Sequence, residues 1–249
     1  MSETKNGKLY AAIGKLRVHP IYPLILAGII LRMVILPTRP YLWGDEALTY
    51  SRVCGSFRDL LDHLRHDGFV PLHYEVYWLI GRFFRLDPRM MRLVPQLCGV
   101  AMIPAMYFLA RQFVSRKAAL LVAAFTTASA YMNVYSRDAK MYADFWLFCV
   151  LSTACYLWWL KNWDRPHTRA VAWLCWIAAS LVMVGLHMPG IALLSLPPLF
   201  LLTQKRPHWR QGLLTIIGLL VIVAGPVGYY WGFNQLAERS DQISFEDAG

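Results

Sequence analysis

Two adjacent acids are the first residues that could do chemistry. Asp45 and Glu46 stand in the run Trp43-Gly44-Asp45-Glu46, shortly after an apolar stretch of the chain. Adjacent residues of a helix do not face each other, so we expect at most one carboxylate to point into a given site. Such an acid can act as a general base, bind a cation or orient a sugar hydroxyl. The alternative is a polar helix start with Asp45 near the N-cap.

A second group of polar side chains follows about twenty residues later. His66 and Asp67 precede a glycine, and His73 and Tyr74 follow a rigid proline turn. We treat these four side chains as candidates for binding a substrate. A metal site is conceivable there, but the group lacks the short ligand spacing that would indicate one. The alternative is a solvated turn followed by a helix at the membrane surface.

A third group lies in the short run YSRDAKMY, which ends at Tyr142. It contains Arg137, Asp138 and Lys140, which we treat as further substrate-binding candidates together with Tyr142. The alternative is an ordinary polar loop between two helices.

Two arginines adjoin or interrupt apolar stretches. Arg92 opens an apolar stretch, where a guanidinium can hold a lipid phosphate bidentately or extend towards headgroups. Arg32 lies inside the first stretch, where a charge costs about 2.5 to 3.5 kcal/mol on insertion scales.

The elements that must position these groups are membrane helices. The 249 residues are 57% hydrophobic and only 16% charged, which is too apolar for one soluble core. Because a helix needs about 20 apolar residues to cross the bilayer, we predict seven spans. They lie near residues 20–37, 91–113, 118–134, 142–160, 170–187, 189–202 and 213–231. The net charge of +10 occurs in short clusters between them, which argues against a nucleic-acid partner.

The basic clusters also predict the orientation. Lysine and arginine exceed the acids in the N-terminal tail and in the second, fourth and sixth loops between spans, which assigns these segments to the cytoplasm. This pattern requires that Val70–Phe84 does not cross, and its length of about 15 residues and its charged side chains agree. We therefore predict a cytoplasmic tail (1–19), a first span (20–37), an outer catalytic loop with juxtamembrane helices (38–90) and spans two to seven (91–231). Residues 232–249 would begin another outer loop or a truncated C-terminal region.

The order of these motifs resembles the GT-C class of glycosyltransferases that use lipid-linked sugars. The likeness is closest to its family 39-like group, which includes protein O-mannosyltransferases and bacterial aminoarabinose transferases. The segments that carry it are WGDEALTY, HDGFVPLHY, RLVPQLCG and YSRDAKMYA. The resemblance implies an all-α integral membrane fold with a module of about seven transmembrane helices and juxtamembrane helices in the first outer loop.

The same resemblance implies an activity and roles for the candidates. A sugar would pass from a polyprenyl-phosphate donor to an acceptor hydroxyl on a protein, lipid or glycan, with inversion, at the outer face of a bacterial inner membrane. Asp45 would be the general base, with Glu46 the second catalytic candidate. The cations aimed at the departing phosphate would be Arg92, Arg137 or Lys140. The groups that orient sugar hydroxyls or hold a divalent metal would be Glu46, Asp67 or Asp138.

Two other classes of protein remain open at this stage. A transporter or flippase could bind an anionic lipid-linked sugar at the same groups without chemistry, although we find no internal repeat of the kind typical of transporters. A non-catalytic membrane subunit is the other alternative. Relatives of the GT-C class are usually longer, so we expect a fragment, a split gene product or an abbreviated homologue.

Overall fold

The computed structural model describes residues 19–35, 39–67, 71–204 and 208–246 of the chain. Of residues 35, 65–67, 230, 231 and 233–246 it describes the backbone alone. Within these ranges the chain forms helices and turns and no strand. The all-α membrane architecture predicted from the sequence is therefore confirmed. The predicted cytoplasmic tail, apart from its last residue, lies outside the described residues.

The first part of the chain contains one apolar helix and three more polar ones. Helix α1 (Ile21–Ile29) continues into a π-helical segment (Ile30–Ile35). Helices α2 (Gly44–Val53), α3 (Phe57–Asp67) and α4 (Leu72–Phe83) follow. The 12 residues of α4 extend about 18 Å at 1.5 Å per residue, well short of the roughly 30 Å of hydrocarbon in a bilayer.

The rest of the chain is a bundle of apolar helices. In order these are α5 (Pro88–Ala110), α6 (Arg116–Ala128), α7 (Ala130–Tyr135), α8 (Tyr142–Lys161), α9 (Pro166–Leu186), α10 (Gly190–Leu193), α11 (Leu196–Leu202) and α12 (Trp209–Glu246). Helices α5, α8, α9 and the Trp209–Tyr229 part of α12 are long and apolar enough to cross a membrane, by length and composition. The total of seven spans stays a prediction.

The structure differs from the predicted elements at three places. The predicted span 118–134 is divided at Ser129, where ψ is 116° and the helical hydrogen bonding is interrupted. The predicted span 189–202 is divided into α10 and α11 just before Pro197 and Pro198, which cannot donate backbone hydrogen bonds. Residues 232–246, which we predicted to begin another outer loop or a truncated C-terminal region, are helical and continue α12. Residues 233–246 include neither glycine nor proline, the two residues that most disfavour a helix.

The helices form a bundle with a cap over one end, and most candidate residues lie where the two meet. Helix α5 contacts α1, α6 and α8, while α9 contacts α8 and α12 around a core of buried aromatic rings. Helices α2, α3 and α4 form a cap over one end of this bundle, which we name the loop end. The core of the cap combines buried side chains from five segments, among them Val53, Leu60, Leu64, Tyr77, Met91 and Ala139. Because Ala139 belongs to the turn of residues 136–141, that turn is packed into the cap.

Candidate active site

Glu46 is held by the arginine that opens helix α5. Its side chain is fully buried, and Arg92 is only 2% exposed. The Arg92 Nε donates to Glu46 Oε1 at 2.8 Å, and Arg92 Nη2 donates to Glu46 Oε2. The same guanidinium donates to the backbone carbonyls of Arg39 and, at 2.9 Å, of Tyr41. The two buried charges therefore neutralise each other, and backbone oxygens satisfy further donors.

The Glu46 carboxylate also accepts two backbone hydrogen bonds. The Ala139 N–H donates to Oε1 at 3.0 Å, and the Trp43 N–H donates to Oε2 at 3.3 Å. Glu46 thus joins the start of α2, the start of α5 and the turn 136–141. With four hydrogen bonds on two oxygens, its carboxylate has little capacity left to accept a proton from a substrate. Arg92 is likewise committed to Glu46 instead of being open for a lipid phosphate.

Asp45 has the opposite surroundings. It is the second residue of α2, whose N-cap is Trp43 with φ −104° and ψ 154°, so Asp45 does not cap the helix itself. Its side chain is partly exposed, and its carboxylate accepts no hydrogen bond from the described residues. An acid in the first helical turn is stabilised by the helix dipole, which holds it without occupying its oxygens. This carboxylate is consequently available to a substrate.

Lys140 lies within electrostatic reach of Asp45. Its side chain is 7% exposed, and burial lowers the pKa of its ammonium group. The negative charge of Asp45 opposes this change, and the positive charge of Arg52 adds to it. Within the part of the chain that the structure describes, the Lys140 ammonium donates no hydrogen bond. A carboxylate and an ammonium group that share no hydrogen bond with the described residues therefore lie within electrostatic reach of each other at the loop end.

Two other residues of the turn add charge nearby. Asp138 accepts a hydrogen bond from the Trp43 indole Nε1 at 3.4 Å, and burial raises the pKa of this carboxyl group. Arg137 donates from Nε to the Asn133 carbonyl at 3.2 Å, and burial lowers the pKa of its guanidinium. The turn 136–141 thus supplies three of the predicted charged residues to one place.

The segment that leads into this turn begins at the break between α6 and α7, where buried side chains bond the backbone. The division between α6 and α7 frees backbone carbonyls of the buried residues Thr126 and Thr127, and buried carbonyls must find partners. The fully buried Arg32 donates from Nη2 to the Thr126 carbonyl at 3.2 Å. Asn133 donates from its side chain to the Thr127 carbonyl at 3.3 Å. Arg32, whose role the sequence did not reveal, therefore supports the segment that leads into the turn.

Gly99 permits the close approach of that turn to α5. A Cβ added at Gly99 would lie 2.3 Å from the Cβ of Ser136 and 3.1 Å from Nε of Arg32. Carbon atoms do not approach each other so closely without displacement, so a side chain here would push the turn away from α5.

His73 forms a separate buried pair that the sequence reasoning only half identified. Its Nδ1 lies 3.1 Å from Oδ2 of Asp144, and the two side chains are nearly inaccessible. This contact fixes α4 against the first turn of α8. Asp144 was missed, although an acid inside a predicted span was the available signal. His73 Nε2 and Asp144 Oδ1 have no hydrogen-bond partner among the described residues.

The remaining candidates are placed less centrally. Tyr74 is buried, and its hydroxyl accepts a hydrogen bond from Arg52 at 3.4 Å. Tyr142 packs edge-on against Tyr135, with ring centroids 5.4 Å apart. His66 and Asp67 belong to the last turn of α3, but their side chains lie outside the described residues. No group of three His, Cys, Asp or Glu side chains that could hold a metal ion occurs among the residues that were searched.

Comparison with known families identifies the chain. Residues 71–231 match the family of dolichyl-phosphate-mannose-protein mannosyltransferases, a range that covers well over half of the sequence and includes Arg92 and Lys140 but begins after Asp45. Neither a curated protein nor a solved structure matches the chain significantly. The likeness found in the motifs is therefore confirmed. The chain belongs to the dolichyl-phosphate-mannose-protein mannosyltransferase family and is a membrane glycosyltransferase of the GT-C type.

Proposed function

We propose that this protein transfers a sugar from a polyprenyl-phosphate donor to an acceptor hydroxyl, with inversion at the anomeric carbon. The observation that carries the proposal is the environment of Asp45. Its carboxylate accepts no hydrogen bond from the described residues and lies within electrostatic reach of the largely buried Lys140 side chain, whereas the adjacent Glu46 is fully engaged. A base and a cation at one membrane end suit a displacement at a phosphate-linked carbon.

In the proposed reaction, the acceptor hydroxyl gives its proton to Asp45 while its oxygen bonds to the anomeric carbon. The bond between that carbon and the phosphate oxygen breaks, and the phosphate leaves with the electron pair as polyprenyl phosphate. One displacement inverts the anomeric configuration. Positioning of the hydroxyl against the sugar would supply much of the rate gain, and general base catalysis typically adds about 10²- to 10⁴-fold.

The turn 136–141 would stabilise the leaving group. Negative charge grows on the phosphate as the bond breaks, so a cation aimed at it lowers the barrier more than it strengthens binding of the ground state. Lys140 is our principal candidate because its side chain is largely buried and lies within electrostatic reach of Asp45. Arg137 is the second candidate, and Asp138 would accept hydrogen bonds from sugar hydroxyls.

The residues outside this centre would position it. Glu46 and Arg92 would hold the start of α2 and the turn in register, and the pair of His73 with Asp144 would hold α4 against α8. Tyr74, Tyr142, His66 and Asp67 remain candidates for contacts with the sugar or acceptor. A divalent metal is not assigned to any of these groups.

The proposed setting is the outer face of a bacterial inner membrane, with the N-terminus in the cytoplasm. The positive charge of the loops at the other end of the bundle supports this orientation. The acceptor would be a hydroxyl of a protein, a lipid or a glycan.

The test uses purified protein in lipid with labelled polyprenyl-phosphate hexoses and pentoses, with and without divalent cation. A solubilised membrane fraction serves as the source of acceptor, and the anomeric configuration of the product is determined. With wild-type protein, we expect label to leave the lipid and the product to have the opposite anomeric configuration to the donor. Asp164→Asn, which changes an exposed acid at the opposite end of the bundle, should behave as wild type. A donor that binds but never loses its label would instead favour a transporter or a non-catalytic subunit.

A further inference from the structure

A groove at the loop end runs between the end of α1 and the start of α5. It consists of a cavity of about 490 Å³ lined by Met33 and the first two turns of α5, and an adjoining cavity of about 310 Å³ that reaches Arg39 and Pro40. Both cavities are lined by Asp87 and Arg89. We name the two together the arginine groove.

The rim of the arginine groove is strongly basic. Arg39, Arg85 and Arg89 line it, and none of the three guanidiniums forms an ion pair with an acid among the described residues. The one acid that lines it within the described ranges, Asp87, is committed to the helix. Its Oδ1 accepts the N–H groups of Arg89 at 2.9 Å and Met90 at 2.8 Å as the N-cap of α5. Three guanidiniums against one engaged carboxylate make a site for an anion.

The wall below this rim is apolar. Met33, Met90 and Leu93 line it, and Gln96 closes its deep end with a hydrogen bond of 3.4 Å to the Arg32 carbonyl. From Arg89 to Gln96 the helix descends about 10 Å, at 1.5 Å per residue. Cations at the membrane surface with an apolar channel beneath them match a molecule that has an anionic head and a hydrocarbon tail.

The groove borders the proposed reaction centre but does not contain its base. Arg92 donates to the carbonyls of Arg39 and Tyr41, so this backbone segment stands between the groove and Glu46. Neither Asp45 nor Lys140 lines either cavity. A molecule in the groove would therefore lie behind the Glu46–Arg92 pair, away from the base.

We propose that the arginine groove binds the phosphate of one anionic membrane phospholipid, which remains bound and does not react. The guanidiniums of Arg85 and Arg89 hold the phosphate oxygens, bidentately where their geometry allows, and an acyl chain lies against Met33, Met90 and Leu93. The bound lipid would fasten the end of α1 to α5 and so support the Arg39–Tyr41 segment on Arg92. Lipid binding at this site does not depend on whether the protein transfers a sugar.

The test compares phosphatidylglycerol with phosphatidylcholine of the same acyl chains, added to the delipidated protein in neutral detergent. Thermal unfolding reports stabilisation, since a ligand that binds the folded state raises Tm with its concentration. Native mass spectrometry counts the lipids retained. We expect phosphatidylglycerol to raise Tm, with one molecule retained, and phosphatidylcholine to have a much smaller effect.

The deciding variant is the double change Arg85→Gln with Arg89→Gln. Both side chains are exposed and form no ion pair with the described residues, so the lipid-free Tm should stay near that of wild type. We expect at least a tenfold loss of affinity for phosphatidylglycerol, and partial recovery when Arg89→Lys replaces Arg89→Gln. The matched control is Arg116→Gln with Arg165→Gln, two exposed arginines at the opposite end of the bundle, which should bind as wild type.

Three results would overturn the proposal. Equal losses in both double variants would mean general attraction between a basic protein and an anionic lipid. Equal stabilisation by the two phospholipids would mean ordinary annular contact. Displacement of phosphatidylglycerol from wild-type protein by an equimolar polyprenyl phosphate would make the groove a site for the donor instead.

Discussion

The two faces of the first turn of α2 place neighbouring carboxylates in opposite environments. On one face, Glu46 is buried, paired with Arg92 and bonded to two backbone N–H groups. On the other, Asp45 is partly exposed and near Lys140, with no hydrogen bond from the described residues. The same chemical group therefore has two different sets of contacts at adjacent positions. Where its oxygens are saturated it fixes geometry, and where they are open it is available for chemistry.

The largest expected effect is a loss of stability when the Glu46 carboxylate is replaced. Glu46→Gln would leave the Arg92 guanidinium buried without its counter-charge. Removal of one partner of a buried pair costs about 3–5 kcal/mol, so the free energy of unfolding should fall by that order. Thermal unfolding in detergent measures the change as a lower Tm. The matched control is Asp45→Asn, which should leave Tm nearly unchanged. A Tm for Glu46→Gln equal to that of wild type would show that the pair does not organise this region.

A smaller effect on stability is expected when the turn 136–141, which carries Lys140, is displaced. Gly99→Ala places a methyl group 2.3 Å from the Ser136 Cβ and should displace the turn that carries Lys140. Overpacking of this kind costs about 1–3 kcal/mol, and a displacement of 1 Å at a reacting centre can cost about 100-fold in rate. Both the rate of transfer and Tm should fall. Gly228→Ala, where an added Cβ meets nothing within 4 Å, is the control and should keep wild-type transfer.

The smallest expected effect is a change in how the rate of sugar transfer depends on pH. Burial lowers the pKa of Lys140, so its ammonium loses a proton at a lower pH than an exposed lysine does. Because the proposed role needs the cation, transfer should decline as pH rises through that pKa. Lys140→Arg keeps a positive charge at all accessible pH values and should move the alkaline decline upwards, at a cost of a few-fold in rate at neutral pH. An unchanged alkaline decline would exclude Lys140 as its source.

Much of the fold followed from the sequence because membrane helices are specified locally. Most of the described residues in the predicted spans are helical, since runs of apolar residues form helices in hydrocarbon whatever their tertiary partners. The breaks at Ser129 and Leu194–Ser195 were not predicted. At Ser129 the interruption is stabilised by side chains distant in sequence, such as Arg32, and no local pattern records that contact.

The site residues were proposed from residue types and spacing, and the structure adds the contacts that each of them makes. Adjacent positions on a helix correctly implied that Asp45 and Glu46 would face different surroundings. Which of them is buried depends on Arg92 and Ala139, which lie 46 and 93 residues away in the chain. The pairing of His73 with Asp144 has the same origin, because it joins α4 to the start of α8, 71 residues further along the chain. Contacts between distant segments, rather than residue types, decide these roles.

The most direct test of the division between the two carboxylates measures transfer and unfolding on the same two variants. Asp45→Asn and Glu46→Gln are isosteric changes at adjacent residues, and each removes one negative charge. For Asp45→Asn we predict a loss of transfer of about 10²-fold or more at an unchanged Tm, because the base is removed and no buried contact is lost. For Glu46→Gln we predict a clear fall in Tm. Transfer near the wild-type rate in folded Asp45→Asn protein would contradict the account.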